Sequence, residues 1–237
     1  MEYPKINSLY KREGMTVDPV TGKNVFSKAK KHPLIIGDYA LPEYALIKQW
    51  HVFEKIDGTN IRITFEHDTC KEMESPEYKP TYRVRFDGRT KDSSIPTFLL
   101  RYLQDTFTVS KLQAAFPTTN RVVLYGEGYG PKIQSGNNYR DDVSFICFDI
   151  YAEGEWWLKY EDRLDICEKL GIDHVPCYGQ MTEQEIVMFV KLKPNSALAF
   201  KHSRLFQSEG IVATTDPILR LRSGQPLKFK LRCEDFD

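Results

Sequence analysis

The sequence predicts an α+β domain built on antiparallel sheet. Short runs of β-branched and aromatic residues recur along the chain with turn residues between them, and hairpin connections outnumber helical crossovers. The composition suits such a domain, because 41% of the 237 residues are hydrophobic and 28% are charged. We therefore expect a globular chain with enough apolar side chains for a buried core rather than a disordered one.

One main domain, residues 46–237, is expected, with an N-terminal extension, residues 1–45, packed on it. Turn residues in the extension predict loops with short elements. Lys plus Arg and Asp plus Glu each number 33, so the formal charge is zero and a polyanion would have to bind to a local patch. Two basic groups could form patches, although most such groups are solvated surface. They are Lys5, Lys11, Arg12, Lys23, Lys28, Lys30 and Lys31 in the extension, and Arg220, Arg222, Lys228, Lys230 and Arg232 in the tail.

The strand signals begin after the extension. Residues 50–54 and 61–65 are predicted strands that flank Asp57-Gly58, and Asp-Gly between apolar runs is a common hairpin turn. Apolar or aromatic residues alternate with arginine over residues 82–86, and this alternation predicts another strand. Pro96 then opens a predicted helix whose apolar residues as far as Phe107 share one face.

The second half of the chain mixes strands and helices. The predicted strands are residues 121–125, 143–150, 209–213 and 226–231. Helical spacing predicts helices at 160–170 and 182–191, the second opened by a capping box of Thr182 and Glu185. The Gly-rich polar segment 126–142 is predicted to be a loop.

Residues 54–60, Glu-Lys-Ile-Asp-Gly-Thr-Asn, place Lys55 at a predicted strand end beside a tight turn. An enzyme that forms a covalent lysine–nucleotide bond must present its amine in this way. A lysine that attacks phosphorus must lose its proton near neutral pH, although its reference pKa is about 10.4, so the protein must desolvate it or place cations nearby. The alternative interpretation is an ordinary charged hairpin turn.

Polar residues also interrupt the later strands, at Arg89, Glu127, Asp149, Glu209, Lys228 and Lys230. Buried ions cost several kcal/mol each unless partners compensate, and a shared phosphate and metal site would supply the partners. Lys228 and Lys230 lie two apart on a predicted strand, so they point to one face and could hold a triphosphate. Glu127 and Glu209 could bind Mg²⁺ or a ribose hydroxyl. Taken singly, each residue is better explained as a surface ion pair, so the interpretation depends on their occurring together.

In this order, the segments resemble the signature of covalent nucleotidyltransferases, most closely the phage T4 RNA ligase 2 family. The resemblance covers about residues 50–235 and implies an antiparallel-sheet nucleotidyltransferase domain of the ATP-grasp-like adenylation type. The matching segments are Glu54–Asn60, Gly88–Thr90, Leu124–Gln134, Phe145–Ile150, Ser208–Val212 and Leu227–Leu231.

The resemblance implies how ATP is bound and attacked. Lys55 would attack the α-phosphate, expel pyrophosphate and carry AMP through a phosphoramide bond. Glu54 would lie near the adenine edge, Phe148 on the adenine face and Glu127 on the ribose, while Ile56 would belong to the same ATP-binding set.

The resemblance assigns the remaining residues to metal, phosphate and RNA ends. Glu209 would organise Mg²⁺, with Glu127 as a second metal ligand, and Lys228 and Lys230 would hold phosphate oxygens. Arg89 would meet the 5′-phosphate end or the nucleotide ribose, and Asn60 would help to orient the strand ends.

The implied activity joins RNA with 5′-phosphate and 3′-hydroxyl ends in three in-line substitutions at phosphorus, with ATP as substrate and Mg²⁺ or Mn²⁺ as the metal. Asn60 favours RNA, because DNA ligases and capping guanylyltransferases usually carry Arg there. A minimal DNA ligase or a capping-type guanylyltransferase is the alternative among enzymes. A non-catalytic module that binds RNA ends is the alternative from another class.

Two features depart from the T4-type pattern. Asp57 stands where that family has His in Lys-x-His-Gly, as in the wider superfamily. The chain ends seven residues after Lys230, so we expect no C-terminal accessory domain. We hypothesise that the basic extension contributes to RNA binding in its place.

Cysteine usage and hydropathy predict the location. The five cysteines include no Cys-x-x-Cys pair, and the first residues lack an apolar signal core, which predicts a reducing compartment. We expect a cytoplasmic monomer, in the host cytoplasm if a phage encodes it. No apolar run approaches the roughly 18 residues of a membrane span, so no membrane partner is expected.

Overall fold

A computed structural model describes residues 2–17, 20, 24–26, 32–67, 81–90, 93–154 and 156–237. The chain forms two compact units. Unit 1 contains Met1–Pro4, Ile56–Pro176 and Ala197–Phe206, and unit 2 contains Lys5–Lys55, Cys177–Ser196 and Gln207–Asp237. Each unit has a sheet and an apolar core of its own.

The elements are numbered along the chain. The strands are β1 Asn7–Ser8, β2 Tyr10–Arg12, β3 Met15–Val17, β4 Asn24–Phe26, β5 Leu34–Tyr39, β6 Trp50–Lys55, β7 Thr59–His67, β8 Tyr82–Asp87, β9 Arg121–Tyr129, β10 Ser144–Ala152, β11 Trp156–Trp157, β12 Asp173–His174, β13 Cys177–Met181, β14 Gly210–Thr214 and β15 Lys228–Arg232. The helices are α1 Thr97–Thr106, α2 Val109–Ala115, α3 Tyr160–Leu170, α4 Glu183–Lys191 and α5 Ala197–Lys201. Short 3-10 helices cover Pro42–Leu46, Gly136–Asn138 and Cys233–Phe236.

The main sheet of unit 1 has six strands, in the order β11-β10-β9-β7-β8, with β12 beside β10. The β10–β12 pair is parallel, and the other pairs are antiparallel. Alternate residues of β7, namely Ile61, Ile63 and Phe65, are buried in a core that includes Leu99 of α1 and Ile166 of α3. The helices therefore cover one face of this sheet, and its other face carries the polar side chains that lie between the core residues.

Gly126 allows β9 to lie close to β10. A Cβ atom at Gly126 would lie 2.3 Å from the carbonyl oxygen of Ile146 and 2.3 Å from Cζ of Phe145. Glycine is needed at this position because the two strands lie close together, and not because the chain turns here. The prediction of a loop over 126–142 was therefore wrong at its start, because β9 continues to Tyr129.

Unit 2 is built on a five-stranded sheet in the order β1-β15-β14-β6-β13. Strand β1 is parallel to β15, and the other pairs are antiparallel. The rings of Trp50 and Phe229 pack at 4.7 Å between centroids, and Tyr44 packs on Phe229 at 5.6 Å. Ile186 and Val190 of α4 belong to the same core. Two small sheets, β2–β5 and β3–β4, complete the unit.

The predicted α+β class and the antiparallel sheets are confirmed. Each strand and helix predicted after residue 50 is found within a few residues of its expected ends, and the Thr182–Glu185 capping box is present. Strands β6 and β7 belong to different sheets, so Asp57-Gly58 does not form a hairpin turn. Helices α2 and α5 and strands β11, β12 and β13 were not predicted.

Part of the predicted extension can be located. Residues 5–45 share unit 2 with β14 and β15, whereas Met1–Pro4 belong to unit 1, and the domain boundary at residue 45 stays a prediction. Of its basic residues, Lys11 pairs with Asp38 at 2.7 Å and Arg12 with Asp235 at 2.6 Å. Outside the described residues lie Lys23, Lys28, Lys30, Lys31 and Cys70.

Among the helices that the structure describes, none has both the length and the apolar character needed to cross a membrane.

We expect Gly126→Ala to destabilise the protein by about 1–3 kcal/mol, because the carbonyl group of Ile146 cannot move away from a new methyl group as a flexible side chain could. Urea unfolding followed by circular dichroism measures the change. Gly179→Ala is the matched control: the same methyl group enters open space, and the φ of +88° adds a conformational cost of about 1–2 kcal/mol at most. Adding Phe145→Leu should relieve only the part of the Gly126→Ala cost that comes from the Phe145 ring, 2.3 Å from the new methyl group, and should not relieve Gly179→Ala. Equal responses of the two variants would contradict the packing argument.

Candidate active site

Lys55 is the last residue of β6, and its side chain meets Glu209 just before β14. Lys55 Nζ donates a hydrogen bond to Glu209 Oε2 at 2.6 Å. The two side chains are 22% and 24% exposed, so the pair is partly shielded but accessible to a ligand. The predicted nucleophile and a predicted metal ligand therefore form an ion pair within unit 2.

Glu209 occupies a backbone corner that requires glycine at the next position. Gly210 has a φ of +153°, and a Cβ atom there would lie 2.1 Å from the carbonyl oxygen of Leu231. Ser208 Oγ donates to the Gly210 carbonyl oxygen at 3.0 Å and accepts from the Gly210 N–H group at 3.2 Å. Because Gly210 is the register partner of Lys55, this corner places the Glu209 carboxylate beside the lysine.

Strand register places Lys55, Lys228 and Lys230 on one face of the five-stranded sheet. Residues directly opposite each other in antiparallel strands share a face, and so do alternate residues along a strand. The successive partners across β6, β14 and β15 are Lys55–Gly210–Arg232, Phe53–Val212–Lys230 and His51–Thr214–Lys228. The three lysines therefore give this face a concentration of positive charge that suits a polyphosphate.

The two distal lysines differ in their surroundings. Lys228 is buried, with 8% of its surface exposed, whereas Lys230 is half-buried. The hydroxyl of Tyr44 donates to the backbone carbonyl oxygen of Lys228 at 2.7 Å and so fixes the start of β15. The aliphatic part of a lysine can be buried while its amine reaches a polar neighbour.

Glu54 is not brought to this face. It alternates with Lys55 along β6 and pairs with Ile211, which belongs to the apolar core. Glu54 is only 2% exposed. Its side chain therefore faces the opposite side of the sheet from the lysine amines.

In unit 1, Asn60 of β7 and Glu127 of β9 are register partners, so their side chains lie side by side. The Oδ1 atom of Asn60 is buried and accepts no hydrogen bond from the described residues. A ligand hydroxyl or amine could donate to it. Ile56 is buried at 3% exposure, and Arg89 is exposed beyond the end of β8.

Asp57 anchors the segment that follows β9. Its backbone N–H group donates to the Tyr139 hydroxyl at 3.1 Å, and its carboxylate accepts from the Ser135 N–H group at 3.3 Å. The Asp that departs from the T4-type Lys-x-His-Gly pattern thus has a structural role in this chain. Sequence reasoning did not identify these contacts, because they join residues that are distant in sequence.

Phe148 is half-buried at an irregularity in the pairing of β10 with β9, and Tyr3 packs against it. The two ring centroids are 5.0 Å apart at an interplanar angle of 69°. Tyr3 also contacts Tyr125 at 5.0 Å and Trp157 at 5.9 Å. The predicted adenine-stacking residue is therefore held by a residue close to the N-terminus.

Tyr3 also joins a buried polar network. Its hydroxyl donates to Asp149 Oδ2, and Arg163 Nη1 of α3 donates to Asp149 Oδ1 at 2.6 Å, with the arginine 2% and the aspartate 1% exposed. Burial raises the pKa of Tyr3 well above its usual value, and the Asp149 carboxylate raises it further. Asp149 was singled out from the sequence, but Tyr3 and Arg163 were not. A charged residue on the helix face shared with Ile166 and Leu170 could have pointed to Arg163.

Within the ranges that the structure describes, no group of three or more His, Cys, Asp or Glu side chains could hold a metal ion. The predicted metal ligands Glu209 and Glu127 belong to different units. Mg²⁺ is commonly bound by one or two carboxylates, with substrate phosphates and water completing its shell. The accessible carboxylate of Glu209 fits this kind of binding.

Comparison with known proteins identifies the family. A model of the RNA ligase family matches residues 48–230, which is most of the chain, and the protein belongs to this family. Among solved structures, Naegleria gruberi RNA ligase with PPi has a TM-score of 0.54 and 19% identity, over 78% of this chain and 49% of that chain.

Two mutants of the Naegleria enzyme with ATP and Mn are also similar. One has a TM-score of 0.51 and 18% identity over 78% of this chain and 50% of that chain. The other has a TM-score of 0.52 and 16% identity over 98% of this chain and 61% of that chain. These similarities show a shared fold, and the chain spans about half the length of the first two structures. Comparison with curated proteins found no match.

We expect Tyr3→Phe to lower the free energy of unfolding by about 1–3 kcal/mol, because Asp149 loses a buried donor. Thermal unfolding followed by Trp fluorescence measures this loss. Tyr151→Phe is the matched control, since its ring also contacts Trp157, at 5.0 Å, but removal of its hydroxyl leaves the Asp149 network unchanged.

The pH dependence gives a second measure of the same change. The folded pKa of Tyr3 lies above the usual 10.0, so the stability contributed by the neutral phenol is complete below pH 10 and is lost as the pH rises above it. Tyr3→Phe should remove the loss of stability above pH 10 that ionisation of the Tyr3 phenol causes, whereas Tyr151→Phe should retain that loss. Indistinguishable stabilities and pH profiles for the two variants would contradict this role of Tyr3.

Proposed function

We propose that the protein is an ATP-dependent RNA ligase that joins 5′-phosphate and 3′-hydroxyl ends through a covalent lysyl-AMP intermediate. The observation that carries the proposal is the 2.6 Å Lys55–Glu209 ion pair beside the sheet face that bears Lys228 and Lys230. Membership of the RNA ligase family supports it. The Naegleria gruberi structures with PPi and with ATP and Mn support nucleotide use by this fold.

In the first step, Lys55 Nζ attacks the α-phosphorus of ATP. A nitrogen–phosphorus bond forms, the bond to the bridging oxygen breaks, and pyrophosphate leaves with that electron pair. Glu209 already accepts a hydrogen bond from the attacking amine, so its carboxylate can orient Nζ. A carboxylate at this distance favours the charged form of an amine, so loss of the proton depends on nearby cations, and Lys228 and Lys230 on the same sheet face supply such charge. The ion pair therefore supplies alignment of the nucleophile.

Lys228 and Lys230 are proposed to hold the phosphate oxygens of ATP. Negative charge builds up on pyrophosphate as it leaves, and positive groups that are fixed in advance stabilise such charge without reorganisation. The two lysines are held in register on β15, and the carbonyl oxygen of Lys228 is tied to Tyr44. This arrangement keeps the amines on the face that presents Lys55.

Glu209 is proposed to be the principal ligand of Mg²⁺ or Mn²⁺, together with phosphate oxygens and water. When bound, the metal would supply Lewis-acid stabilisation of the phosphate charge. We also propose that Glu127, the second predicted ligand, binds the ribose, since its neighbour Asn60 has a buried acceptor that a hydroxyl could satisfy.

The remaining predicted residues fit more peripheral roles. Phe148 is proposed to stack on adenine, Ile56 to line the ATP site, and exposed Arg89 to meet the 5′-phosphate end of RNA. We do not assign Glu54 to the nucleotide through its side chain, because that side chain faces the apolar core.

Two further substitutions would complete the reaction. A 5′-phosphate oxygen of RNA attacks the phosphorus of AMP and releases Lys55, and the 3′-hydroxyl of the second RNA end then attacks the 5′-phosphate and displaces AMP. Positioning and charge stabilisation supply most of the acceleration in such reactions. We also propose that the protein acts as a monomer in the cytoplasm, or in the host cytoplasm if a phage encodes it.

We expect the protein to gain the mass of AMP after incubation with ATP and Mg²⁺, and Lys55→Ala to abolish the gain, because no other group replaces the nucleophile. Intact-mass spectrometry measures the adduct. Lys169→Ala is the matched control: Lys169 is also paired with a carboxylate, Asp165 at 2.6 Å, but lies on the surface of α3. A GMP adduct from GTP alone would instead indicate a guanylyltransferase, and the absence of any adduct would exclude the proposed activity.

We expect Glu209→Gln to slow adenylation of Lys55 by about a hundredfold, because the amide contributes no charge to a metal site and orients the lysine amine less firmly than a carboxylate. Single-turnover labelling over a range of Mg²⁺ concentrations measures the rate and the metal requirement. Asp38→Asn is the control, since it removes a carboxylate from another lysine ion pair of unit 2, 2.7 Å long. A rate for Glu209→Gln equal to that for Asp38→Asn would show that the carboxylate has no part in the chemistry.

A further inference from the structure

Arg62 of β7 is a buried arginine on the polar face of the six-stranded sheet. It alternates with Ile61 and Ile63, which belong to the unit 1 core, so its side chain lies on the face opposite the helices. Only 6% of its surface is exposed. An arginine stays charged at any ordinary pH, and enclosing that charge is unfavourable unless an anion lies nearby. Arg62 is therefore expected to have an anionic partner.

The part of the chain that the structure describes supplies no carboxylate to Arg62 at ion-pair distance. Its hydrogen bond there runs from Nε to the carbonyl oxygen of Gly88, at 2.9 Å. Asp87, the residue opposite Arg62 on β8, is instead paired with Arg85, with 3.7 Å between its carboxylate and Nε. Neighbouring arginines do have such a partner, because Glu66 lies within 3.6 Å of Arg83, Arg85 and Arg121.

The bond to Gly88 leaves one edge of the guanidinium group available. Nε is directed at a backbone carbonyl group, whereas Nη1 and Nη2 donate to no described residue. The enclosed polar atoms without a hydrogen-bond partner include Asn60 Oδ1 but neither Nη atom, so the small exposed part of Arg62 includes this edge. The two Nη atoms present parallel N–H groups, which match two oxygens of one phosphate group.

Strand register places Arg62 beside the proposed nucleotide contacts of unit 1. Asn60 precedes it by two residues on β7 and shares its face, as does Glu127, the partner of Asn60 on β9. Tyr125 of β9 lies opposite Arg62. Burial raises the pKa of Tyr125, and the positive charge of Arg62 acts in the opposite direction. The charge of Arg62 is therefore effective on the face where the ligand contacts are proposed.

We propose that Arg62 binds the 5′-phosphate of the RNA substrate through the edge formed by Nη1 and Nη2. This proposal rests on the proposed function, in which RNA with a 5′-phosphate is a substrate. The carbonyl group that Arg62 holds belongs to Gly88, and the next residue, Arg89, is exposed and is proposed to meet the same RNA end. A terminal phosphate carries close to two negative charges near neutral pH, so it can offset both guanidinium groups.

The first test measures whether Arg62 has a counter-ion inside the protein. R62M is compared with R163M, because Arg163 is also enclosed but is bound to Asp149 at 2.6 Å. R163M leaves a buried carboxylate without its partner and should lower Tm strongly, whereas R62M removes an uncompensated charge and should lower Tm much less or raise it. Equal losses of Tm would show that Arg62 is paired within the protein and would overturn the proposal.

The second test measures recognition of the phosphate in the absence of ATP. Fluorescence anisotropy gives Kd for two nicked RNA duplexes that differ only in a 5′-phosphate or a 5′-hydroxyl at the nick. We expect the full-length protein to prefer the phosphate, and R62M to lose about tenfold of that preference, which is the typical worth of a charge-assisted hydrogen bond.

Two further variants serve as controls for the second test. R62K keeps the charge but not the planar fork, so it should retain only part of the preference for the phosphate. R101Q removes one exposed positive charge from α1, which packs in the core on the other face of the sheet, and it should retain the whole preference.

The outcomes separate this proposal from the proposed function. Adenylation of Lys55 requires no RNA, so its failure in the unmodified protein overturns the ligase assignment. If adenylation proceeds but R62M keeps the full preference for the 5′-phosphate, or weakens binding of both duplexes equally, Arg62 does not bind that group. A raised KM for ATP in R62M with an unchanged preference would show that the phosphate belongs to ATP, and the assignment to RNA would be wrong.

Discussion

The candidate chemistry depends on the register between β6 and β14. With Lys55 opposite Gly210, the corner formed by Ser208, Glu209 and Gly210 places a carboxylate 2.6 Å from the lysine amine. A slip of one residue would turn every side chain of β6 to the other face, so Lys55 would point toward the apolar core and Glu54 would take its place. Burial of Trp50 and Val52 in the unit 2 core opposes that slip. Apolar packing on one face of the sheet therefore positions the amine on the other.

In unit 1, a buried ion pair has a comparable role. Arg163 and Asp149 are almost wholly shielded from water, and such a pair needs further hydrogen bonds to offset the free-energy cost of burying its charges. The Tyr3 hydroxyl binds the second oxygen of Asp149, and the Tyr3 ring packs on Phe148. The polar network thus links a residue near the N-terminus to the proposed adenine-stacking side chain. Its loss would lower the stability of unit 1 and release the ring that is proposed to stack on adenine.

The six-stranded sheet confines the proposed nucleotide contacts of unit 1 to one of its two faces. Its helix-covered face forms the core, so side chains that contact ligands are confined to the polar face. Asn60 and Glu127 lie near one end of β7, and Glu66 with its arginines lies near the other. Six residues of extended strand span about 20 Å. The proposed nucleotide contacts therefore lie at the end of β7 away from the ion pairs of Glu66 with its arginines.

The sequence alone determined the fold class, the longest strands and helices and the residue types of the site, because strand alternation, helical spacing and short motifs such as those around Lys55 and Glu209 are local properties of a chain. It could not show that Gly126 continues a strand, since the reason is the nearby β10 backbone. Nor could it reveal the partners of Lys55, Asp149 and Glu66. Lys55 and Glu209 are 154 residues apart, and which strands become neighbours is decided by the packing of whole sheets. Only the tertiary structure therefore decided which charges meet, because contact energies depend on distance in space rather than on position along the chain.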